Sequence, residues 1–414
     1  MAPLKARPAA DSSADSAAES VCSLYVHIPF CAAKCHYCDF GSVTGREDLW
    51  APYVDAVLAE ASKRAPRIME YRQLTVHFGG GTPSLLPPAL FAKLAEGLQH
   101  IFSIPGFSGM EAAIEANPGT LSREKLAIYR ACGINRLNLG LQSAMDHHLA
   151  FLGRIHRWAE FEENVERAEE AGFRRLGADL IFGFPGLTED EWDRTLERMV
   201  GLRPELEHLS CYSLSVEPGT RMEGMIRDGT TGCGVSASPV EPVSDEMDRR
   251  MYGRAIRLLR EGGFRQYELS NFARAGGESV HNTGYWILRP YLGLGAAAHS
   301  FLPGPSPGTA ERQGNIKDPE AYVAAIRRGD DPAAEWSRLT QKDLASETMF
   351  LGLRLTRGVD RESFRSRFGR DPDDWFDGAV TGLVSKKLLK TRGRFISLTR
   401  RGMDLANICM EKFV

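Results

Sequence analysis

The sequence predicts an α/β protein built on an incomplete (βα)6 barrel, with a smaller helical and winged domain at the C-terminal end. From Cys22 to Glu217 one unit recurs: an apolar strand, a turn rich in glycine, proline or polar residues, and an amphipathic helix. Strands and helices that alternate in this way form parallel sheets with right-handed crossovers. Because the pattern contains six such strands and not eight, we expect one side of the barrel to stay open.

The strands of this barrel are predicted from short apolar runs that are bounded by turn residues. They lie at Leu24–Ile28, Leu74–Phe78, Glu111–Glu115, Arg136–Leu141, Leu176–Phe182 and His208–Leu214. The helices between them are predicted from the helical spacing of apolar residues. They cover about Leu49–Lys63, Pro88–Phe102, Arg123–Ala131, Trp158–Ala171 and Glu189–Val200.

The segment after the sixth strand is less regular. Residues 217–245 are poor in periodicity and rich in glycine, serine and proline, which predicts a long surface loop over the open side of the barrel or a boundary after it. A helix over Asp245–Glu261 and a strand-like segment, Phe264–Leu269, follow.

From Ser337 the pattern becomes helical again, most clearly at Leu344–Leu355. A two-stranded wing is predicted to include Leu388–Thr391 and Phe395–Leu398. A winged helix can bind DNA, but the modest net charge favours a packing module that closes the barrel. The predicted divisions are a disordered extension (1–20), the barrel (21–216), a connecting region (217–336) and the C-terminal domain (337–414).

Composition indicates a globular protein of ordinary kind. The chain has 414 residues, of which 43% are hydrophobic and 25% charged, and a formal net charge of −3 gives no reason to expect nucleic acid as a partner. No apolar run approaches the length of a membrane span. Residues 1–20 lack the apolar core of a signal peptide and the arginine-rich character of a transit peptide. The other cysteines are widely scattered, so we expect a reducing cytoplasm. Peripheral membrane association and a homodimer stay open, since no residue argues for either.

The chemistry of the chain concentrates at Cys31, Cys35 and Cys38, which form a C-x3-C-x2-C array directly after the first strand. Thiolates are soft ligands that suit iron–sulfur clusters or zinc. Three neighbouring thiolates can hold three corners of a four-iron cluster and leave the fourth iron open, whereas a structural zinc site needs four ligands. The candidates for a fourth zinc ligand are Cys22, His27 and His36. A disulfide is disfavoured, because three cysteines cannot pair evenly.

The other unusual residues follow the predicted strands, and in barrels of this type the chemistry lies at the carboxyl ends of the strands. Strand two ends in Gly79-Gly80-Gly81-Thr82-Pro83, and strand three ends in Glu115-Ala116-Asn117-Pro118-Gly119. Gln142-Ser143 follows strand four, while strand five carries Asp179 and ends in Gly183-Phe184-Pro185-Gly186. We therefore expect one functional rim.

The segment Tyr25-Val26-His27-Ile28-Pro29-Phe30, followed by the cysteine array, resembles the radical S-adenosylmethionine superfamily and, within it, the oxygen-independent coproporphyrinogen III oxidase-like group. The resemblance implies a partial TIM-like barrel of the radical SAM type. It also implies that the three cysteines hold a [4Fe–4S] cluster whose open iron binds S-adenosylmethionine. An electron donor would then reduce the cluster, and the cofactor's sulfonium bond would be cleaved.

The same resemblance implies contacts to S-adenosylmethionine on the loops of strands two and three. Gly80, Gly81 and Thr82 belong to the loop that holds the methionyl amino group in this family, although a triple glycine alone also fits a tight turn. Glu115 is implied as a contact to the ribose or the amino group. A solvated strand end is its alternative.

Five further contacts are implied by the family pattern. Gln142 would bind the nucleoside, Arg154 the methionine carboxylate and Asp179 the ribose hydroxyls. Tyr25 and Tyr37 flank the cysteines, where a ring can cover adenine or exclude solvent. The residue-level alternatives are a surface arginine for Arg154 and core aromatics for the two tyrosines.

Two features separate the branches of the group. His281-Asn282-Thr283-Gly284-Tyr285-Trp286 resembles the H-N-x-x-Y-W motif of the haem chaperone branch, HemW, which implies His281 as the haem-iron ligand and flat apolar surface from the two aromatic residues. His299 is a second candidate ligand. The oxidases themselves carry a further cysteine two positions after the third ligand, where this chain has Phe40.

The first functional hypothesis is therefore a haem chaperone that binds haem and passes it to haem-accepting proteins. The second is an oxygen-independent coproporphyrinogen III oxidase, an enzyme that decarboxylates two propionate groups. A radical-dependent haem-modifying enzyme and a non-catalytic zinc scaffold are the remaining alternatives. The sequence leaves open whether the protein is an enzyme.

Overall fold

A computed structural model describes residues 21–229 and 242–414 of the chain. The predicted disordered extension, 1–20, lies outside the described residues, as does most of the second half of the predicted 217–245 loop.

The six predicted strands form one parallel sheet in chain order, each paired with the next. They are β1 (Val21–Ile28), β2 (Arg72–Gly80), β3 (Glu111–Ala116), β4 (Arg136–Gln142), β5 (Arg175–Phe182) and β6 (His208–Ser213). The parallel order of the predicted barrel is confirmed.

Helices return the chain from one strand to the next. They are α1 (Trp50–Arg64), α2 (Pro88–Ile101), α3 (Arg123–Ala131), α4 (Asp146–Phe151), α5 (Trp158–Glu170) and α6 (Glu189–Gly201). Local sequence sets their first residues: Ser122 caps α3, and Thr188 with Glu191 forms a capping box on α6. The short helix α4 was not predicted, because its six residues are too few to show a helical period.

The two faces of the parallel sheet differ in chemistry. On β1, Leu24, Val26 and Ile28 are buried in the apolar core between sheet and helices. The alternate residues, such as Tyr25 and His27, point to the opposite, inner face of the sheet. Because the same alternation holds along β2 to β5, the inner face collects polar side chains that the outer face lacks.

Further strands extend this sheet on both sides. The sheet has 12 strands in the order β12-β11-β10-β9-β1-β2-β3-β4-β5-β6-β8-β7. The added strands are β7 (Arg265–Gln266), β8 (Asn271–Ala273), β9 (Tyr291–Leu294), β10 (His299–Pro303), β11 (Ala310–Asn315) and β12 (Ala333–Leu339). Strand β9 pairs in parallel with β1, and β10 to β12 continue antiparallel. Among the described residues the two edges do not pair, so the barrel is open, as predicted.

The prediction of a loop over 217–245 is wrong in part. Residues of this segment form α7 (Arg221–Asp228), which Thr220 caps and in which Met222 and Met225 are buried. The backbone N–H of Met222 donates to His36 O at 2.7 Å, so the helix packs against the cysteine loop. This helix was not predicted, because eight residues with a glycine among them are too few to show the helical spacing of apolar residues. The next helix, α8 (Asp245–Glu261), is confirmed, whereas the strand predicted over Phe264–Leu269 shrinks to β7.

The remaining helices are α9 (Val280–Trp286), α10 (Pro319–Arg328), α11 (Gln341–Gly352), α12 (Arg361–Phe368), α13 (Pro372–Trp375), α14 (Ala379–Ser385), α15 (Arg400–Asp404) and α16 (Ala406–Met410). The predicted wing consists of β14 (Leu389–Arg392) and β15 (Phe395–Leu398), to which the two-residue β13 (Val359–Asp360) adds a third strand. The C-terminal helices and this small sheet share an apolar core of their own. Among the described residues, no helix combines the length and apolar character that crossing a membrane would require.

Candidate metal-cluster and cofactor site

The cysteine loop is held in shape by its own backbone. Cys31 N donates to Val43 O at 2.9 Å and Val43 N donates to Pro29 O at 2.7 Å, so the chain leaves β1 and returns to the same point. Cys38 N donates to Cys35 O at 3.3 Å, which turns the middle of the loop. All three cysteines are free thiols and are partly exposed.

Two hydrogen-bond donors lie beside the sulfur atoms. Arg154 Nη1 is 3.2 Å from Cys35 Sγ, and the hydroxyl of Thr82 is 3.6 Å from Cys31 Sγ. Gly81 allows this proximity, because a Cβ at that position would stand 3.0 Å from Cys31 Sγ and 2.8 Å from Phe30 O. Donors to sulfur stabilise the thiolate form and tune a bound cluster.

Zinc and an iron–sulfur cluster differ in the spacing and in the number of the ligands that they need. In a tetrahedral zinc site the sulfurs stand about 3.8 Å apart, given the usual Zn–S length. Among the residues that the structure describes, only His147, His148 and Glu191 bring three ligand atoms within 4.8 Å of one another. The three cysteine sulfurs do not form such a group, and three thiolates alone would leave a structural zinc ion without its fourth ligand.

Each predicted fourth zinc ligand makes a contact of its own, although Nε2 of His27 has no hydrogen-bond partner among the described residues. The thiol of Cys22 is buried in the outer core and donates to Ser23 O. Nδ1 of His36 lies 2.8 Å from Phe151 O, and Nδ1 of His27 lies 3.0 Å from the Tyr25 hydroxyl.

The glycine loop at the end of β2 places backbone groups at the cavity. Gly80 adopts φ +113°, and a Cβ there would stand 2.7 Å from the His27 ring. Its N–H donates to Glu115 Oε2 at 3.2 Å, while His77 Nε2 lies 2.9 Å from Glu115 Oε1. Glu115 of β3 is thus fixed by two groups of β2 and keeps 40% of its side chain exposed.

Asn117 connects the loops of β2, β3 and β4, a role that the sequence did not indicate. Its Nδ2 donates to Thr82 Oγ1 at 3.0 Å, and its Oδ1 accepts from Arg154 Nη2 at 2.5 Å. The same Arg154 nitrogen donates to Gly140 O at 2.6 Å, while Arg154 Nε is buried with no partner among the described residues. Asn117 follows a strand as the predicted residues do, and that position was the available signal.

Gln142 and Asp179 complete the cavity wall. Gln142 has φ +79°, rare for a residue with a side chain, at a register shift between β4 and β5. Strain of this kind is found where a fold fixes a functional side chain. Burial raises the pKa of Asp179 to about 6, against a hydrogen bond from Ser210 that lowers it.

One cavity brings together 11 of the 13 predicted site residues. It is lined by Cys31, Cys35, Tyr37, Cys38, Gly80, Gly81, Thr82, Glu115, Gln142, Arg154 and Asp179. Residues that the sequence did not single out as site residues also line it, namely Lys34, Phe40, Ser42, Asn117 and Gly140.

Tyr25 and His281 lie elsewhere on the inner face of the sheet. The ring of Tyr25 stacks near His77, with centroids 6.1 Å apart. His77 stacks in turn on His281 at 4.9 Å. Tyr25 therefore belongs to a row of aromatic rings within the barrel, and it does not line the cysteine cavity.

His281 is buried at the start of α9. One ring nitrogen, Nδ1, lies 2.6 Å from the Thr75 hydroxyl, and Nε2 lies 2.8 Å from the Tyr285 hydroxyl. Burial lowers the pKa of His281 well below its ordinary value. The imidazole is consequently neutral, but both of its nitrogens have partners in this conformation.

The residues present fit an iron–sulfur cluster with S-adenosylmethionine beside it. When bound, these groups supply reductive cleavage of the sulfonium bond. Cys31, Cys35 and Cys38 would hold the cluster, and the cavity rim would position and shield the cofactor. Around them, Arg154 and Glu115 offer opposite charges that suit the carboxylate and the ammonium of a methionyl group.

The comparisons with known proteins agree with this cavity. Residues 25–199 match the radical SAM superfamily, and residues 339–405 match the HemN C-terminal domain. "Heme chaperone HemW" of Bacillus subtilis is 34% identical over 392 residues, which cover 95% of this chain and 99% of that protein. The chain belongs to the HemW branch of the radical SAM superfamily.

Other relatives also match over most of their length. "Heme chaperone HemW" of Mycobacterium tuberculosis is 31% identical over 93% of this chain and 92% of that protein. "Radical S-adenosyl methionine domain-containing protein 1, mitochondrial" of Bos taurus is 33% identical over 83% of this chain and 75% of that protein. The solved coproporphyrinogen III oxidase (HemN) of Escherichia coli has the same fold, with a TM-score of 0.80, 22% identity and coverage of 98% and 93% of the two chains.

The two matched segments cover different parts of the chain. The radical SAM match, 25–199, contains every predicted residue of the cysteine cavity. Helix α9, with its H-N-x-x-Y-W sequence, lies between the two matched segments. The H-N-x-x-Y-W sequence therefore lies outside both matched segments.

Proposed function

We propose that the protein is a haem chaperone on a radical SAM scaffold. It binds haem together with a [4Fe–4S] cluster and S-adenosylmethionine, and it transfers the haem to acceptor proteins in the cytoplasm. The observation that carries this proposal is the near full-length similarity to proteins named heme chaperone HemW, at 34% and 31% identity.

The cavity supports the cluster and cofactor in this proposal. Three cysteines, the glycine loop and a ring of polar side chains meet at the carboxyl ends of five strands. A reduced cluster requires an electron donor, which we propose as a further partner. S-adenosylmethionine would be held by Arg154 through its carboxylate, by the glycine loop and Glu115 through its amino group, and by Asp179 and Gln142 through its nucleoside.

Phe40 favours the chaperone over the oxidase. It occupies the position of the oxidases' additional cysteine, lines the cavity mouth and is 65% exposed. A phenyl ring there offers neither a thiolate nor a proton to a bound porphyrinogen. The oxidase reaction is therefore the alternative that an experiment must exclude.

Two measurements on one anaerobically reconstituted preparation test the proposal. Haem titration is expected to give saturable binding. When the haem-loaded protein is mixed with the haem-free form of a haem protein and the two are separated by size exclusion, haem is expected in the acceptor fraction. The same preparation, given reductant, S-adenosylmethionine and coproporphyrinogen III, is expected to leave that substrate unchanged. Absence of haem binding, or formation of protoporphyrinogen IX, would contradict the proposal, and conversion of haem to a linear product would favour the haem-modifying enzyme.

A further inference from the structure

The histidine of the H-N-x-x-Y-W sequence is poorly placed to bind iron. Axial ligation needs a free lone pair on a ring nitrogen. Both nitrogens of His281 lie within hydrogen-bond distance of a hydroxyl, and its side chain is packed between His77 and Tyr285. Glu111 also holds the first turn of α9, because its Oε1 accepts from His281 N at 3.0 Å. Iron could reach this imidazole only after the helix had moved.

An aromatic groove opens beside α9, next to the buried His281. Tyr285 and Trp286 of α9 line it together with Tyr291 of β9, Phe301 of β10 and Leu351 of α11. The ring centroids of Tyr285 and Tyr291 are 4.7 Å apart, and those of Tyr291 and Phe301 are 6.2 Å apart. Aromatic rings thus dominate the lining, with Arg354 over the Trp286 ring and Arg312 over the Phe301 ring, and the groove measures about 350 Å³. Such a surface suits a flat, hydrophobic macrocycle.

His299 is the ligand-type side chain of this groove. It is exposed at the start of β10 and lies on the same face of that strand as Phe301. No described residue hydrogen-bonds to its imidazole. The ring lies against Gly314 of the neighbouring strand, where a Cβ would stand 2.8 Å from His299 Cε1. The glycine therefore leaves the imidazole the space that a larger residue would fill.

Cationic side chains lie in the lining of the groove. Arg289 and Arg312 are among the residues that line it. Glu347 of α11 holds Arg312 through two contacts of 2.8 Å, which fixes the orientation of that guanidinium. Guanidinium groups form charge-assisted hydrogen bonds with carboxylates, and haem carries two propionates at one edge.

We propose that haem binds in this groove and that His299, rather than His281, supplies the ligand to its iron. This inference rests on the proposed function and specifies where the cargo lies. The macrocycle packs against Tyr285, Trp286, Tyr291 and Phe301, and its propionates point toward the arginines. His281 keeps a structural role within the barrel, where it fixes Tyr285 at the wall of the groove.

The test uses the full chain with its cluster reconstituted under anaerobic conditions. Haem is titrated into wild type, His299→Ala and His281→Ala, and the haem contribution is isolated by difference spectra, because the cluster also absorbs. His299→Ala is expected to weaken haem affinity on the order of tenfold. His100→Ala, which removes an exposed histidine from the outer helix α2, is the matched control and is expected to bind as wild type does.

His299→Cys decides the identity of the ligand, because a thiolate changes the electronic spectrum of haem iron. We expect this variant to bind haem with a shifted Soret band and altered electron paramagnetic resonance. An unchanged spectrum in His299→Cys, or full affinity in His299→Ala beside lost ligation in His281→Ala, would overturn the inference and leave the chaperone proposal standing. Failure of the wild-type protein to bind haem would instead contradict the proposed function itself.

Discussion

At the scale of single residues, the cavity depends on polar groups that are held by several contacts each. Arg154 reaches a cysteine sulfur, the Asn117 side chain and the Gly140 carbonyl from one guanidinium. The Glu115 carboxylate accepts hydrogen bonds from His77 Nε2 and from the backbone N–H of Gly80. Since a buried polar group without a partner costs free energy, these side chains stabilise the fold and the geometry of the cavity together.

Arg154→Met is expected to lower both stability and cofactor affinity. The change leaves Asn117 Oδ1 and Gly140 O without their donor, which costs about 1–3 kcal/mol of unfolding free energy. Urea denaturation measures this loss, and equilibrium dialysis of S-adenosylmethionine against the reconstituted protein measures the affinity. Arg194→Met, on the exposed side of α6, is the control and is expected to change neither quantity. Wild-type stability and affinity in Arg154→Met would show that the guanidinium contributes neither to the fold nor to cofactor binding.

Asp179 predicts a pH-dependent contribution to stability. Burial raises the pKa of its carboxyl from 3.8 to about 6, so the folded chain holds this proton more tightly than the unfolded chain does. Its contribution to the unfolding free energy is present below pH 3.8 and is lost as pH rises toward about 6.

Asp179→Asn should therefore gain stability over wild type as pH rises. We expect the difference between the two proteins to grow by about 2 kcal/mol between about pH 4 and about pH 7. Urea unfolding at several pH values measures it, and taking the difference between the proteins cancels other titrating groups. A difference that is flat across this range would contradict the assignment of the raised pKa to Asp179.

At the scale of elements, a buried carboxylate holds the first turn of helix α9 against the barrel. Glu111, with 2% of its side chain exposed, accepts from the backbone N–H groups of Val280 and His281. Arg136 and Arg175 lie 3.5 Å and 3.1 Å from its Oε2. The position of the H-N-x-x-Y-W sequence thus depends on a strand residue about 170 positions earlier in the chain.

Glu111→Gln is expected to loosen this helix. Replacing the carboxylate leaves Arg136 as an uncompensated buried charge, which costs about 3 kcal/mol. Urea denaturation measures the loss, and hydrogen exchange is expected to quicken over 280–286. Glu166→Gln, an exposed position on α5, serves as the matched control. If exchange over 280–286 stayed at the wild-type rate in Glu111→Gln, the proposed tether would be wrong.

The elements also show what periodicity can and cannot predict. Strands β1 to β6 have buried apolar runs bounded by glycine and polar turns, so their positions could be read to within a few residues. Strands β9 to β12 were missed. The long, partly exposed strand β12 has no alternation of apolar and polar residues. Strands β9 and β10 are strands because they pair with residues far away in the chain, and no local pattern marks them.

At the scale of the whole molecule, the cysteine cavity was more predictable than the groove that we propose for haem. Each cavity residue follows a parallel strand, and parallel strands bring their carboxyl ends to one rim whatever the details of packing. The groove arises where α9, the sheet extension β9 to β11 and the C-terminal helix α11 meet. That meeting depends on tertiary contacts such as Arg312 with Glu347, which no local pattern of the sequence encodes.

The burial of His281 illustrates the same limit. The motif indicated a histidine beside two aromatic residues, and this is what the structure contains. Whether the imidazole faces a ligand or the interior depends on Thr75 and His77 of β2, 206 and 204 positions away. Sequence reasoning could name the residue and could not orient it.

We infer that Cys31, Cys35 and Cys38 act together as the ligands of an iron–sulfur cluster in the cavity. The most direct measurement is the iron, sulfide and zinc content, with electron paramagnetic resonance, of anaerobically reconstituted wild type and of the variant with all three cysteines changed to alanine. Cys132→Ala, which alters a buried cysteine outside the cavity, is the control. We predict a [4Fe–4S] signal in wild type and the control that the triple variant lacks. Zinc in place of iron in wild type, or unchanged iron in the triple variant, would contradict the account.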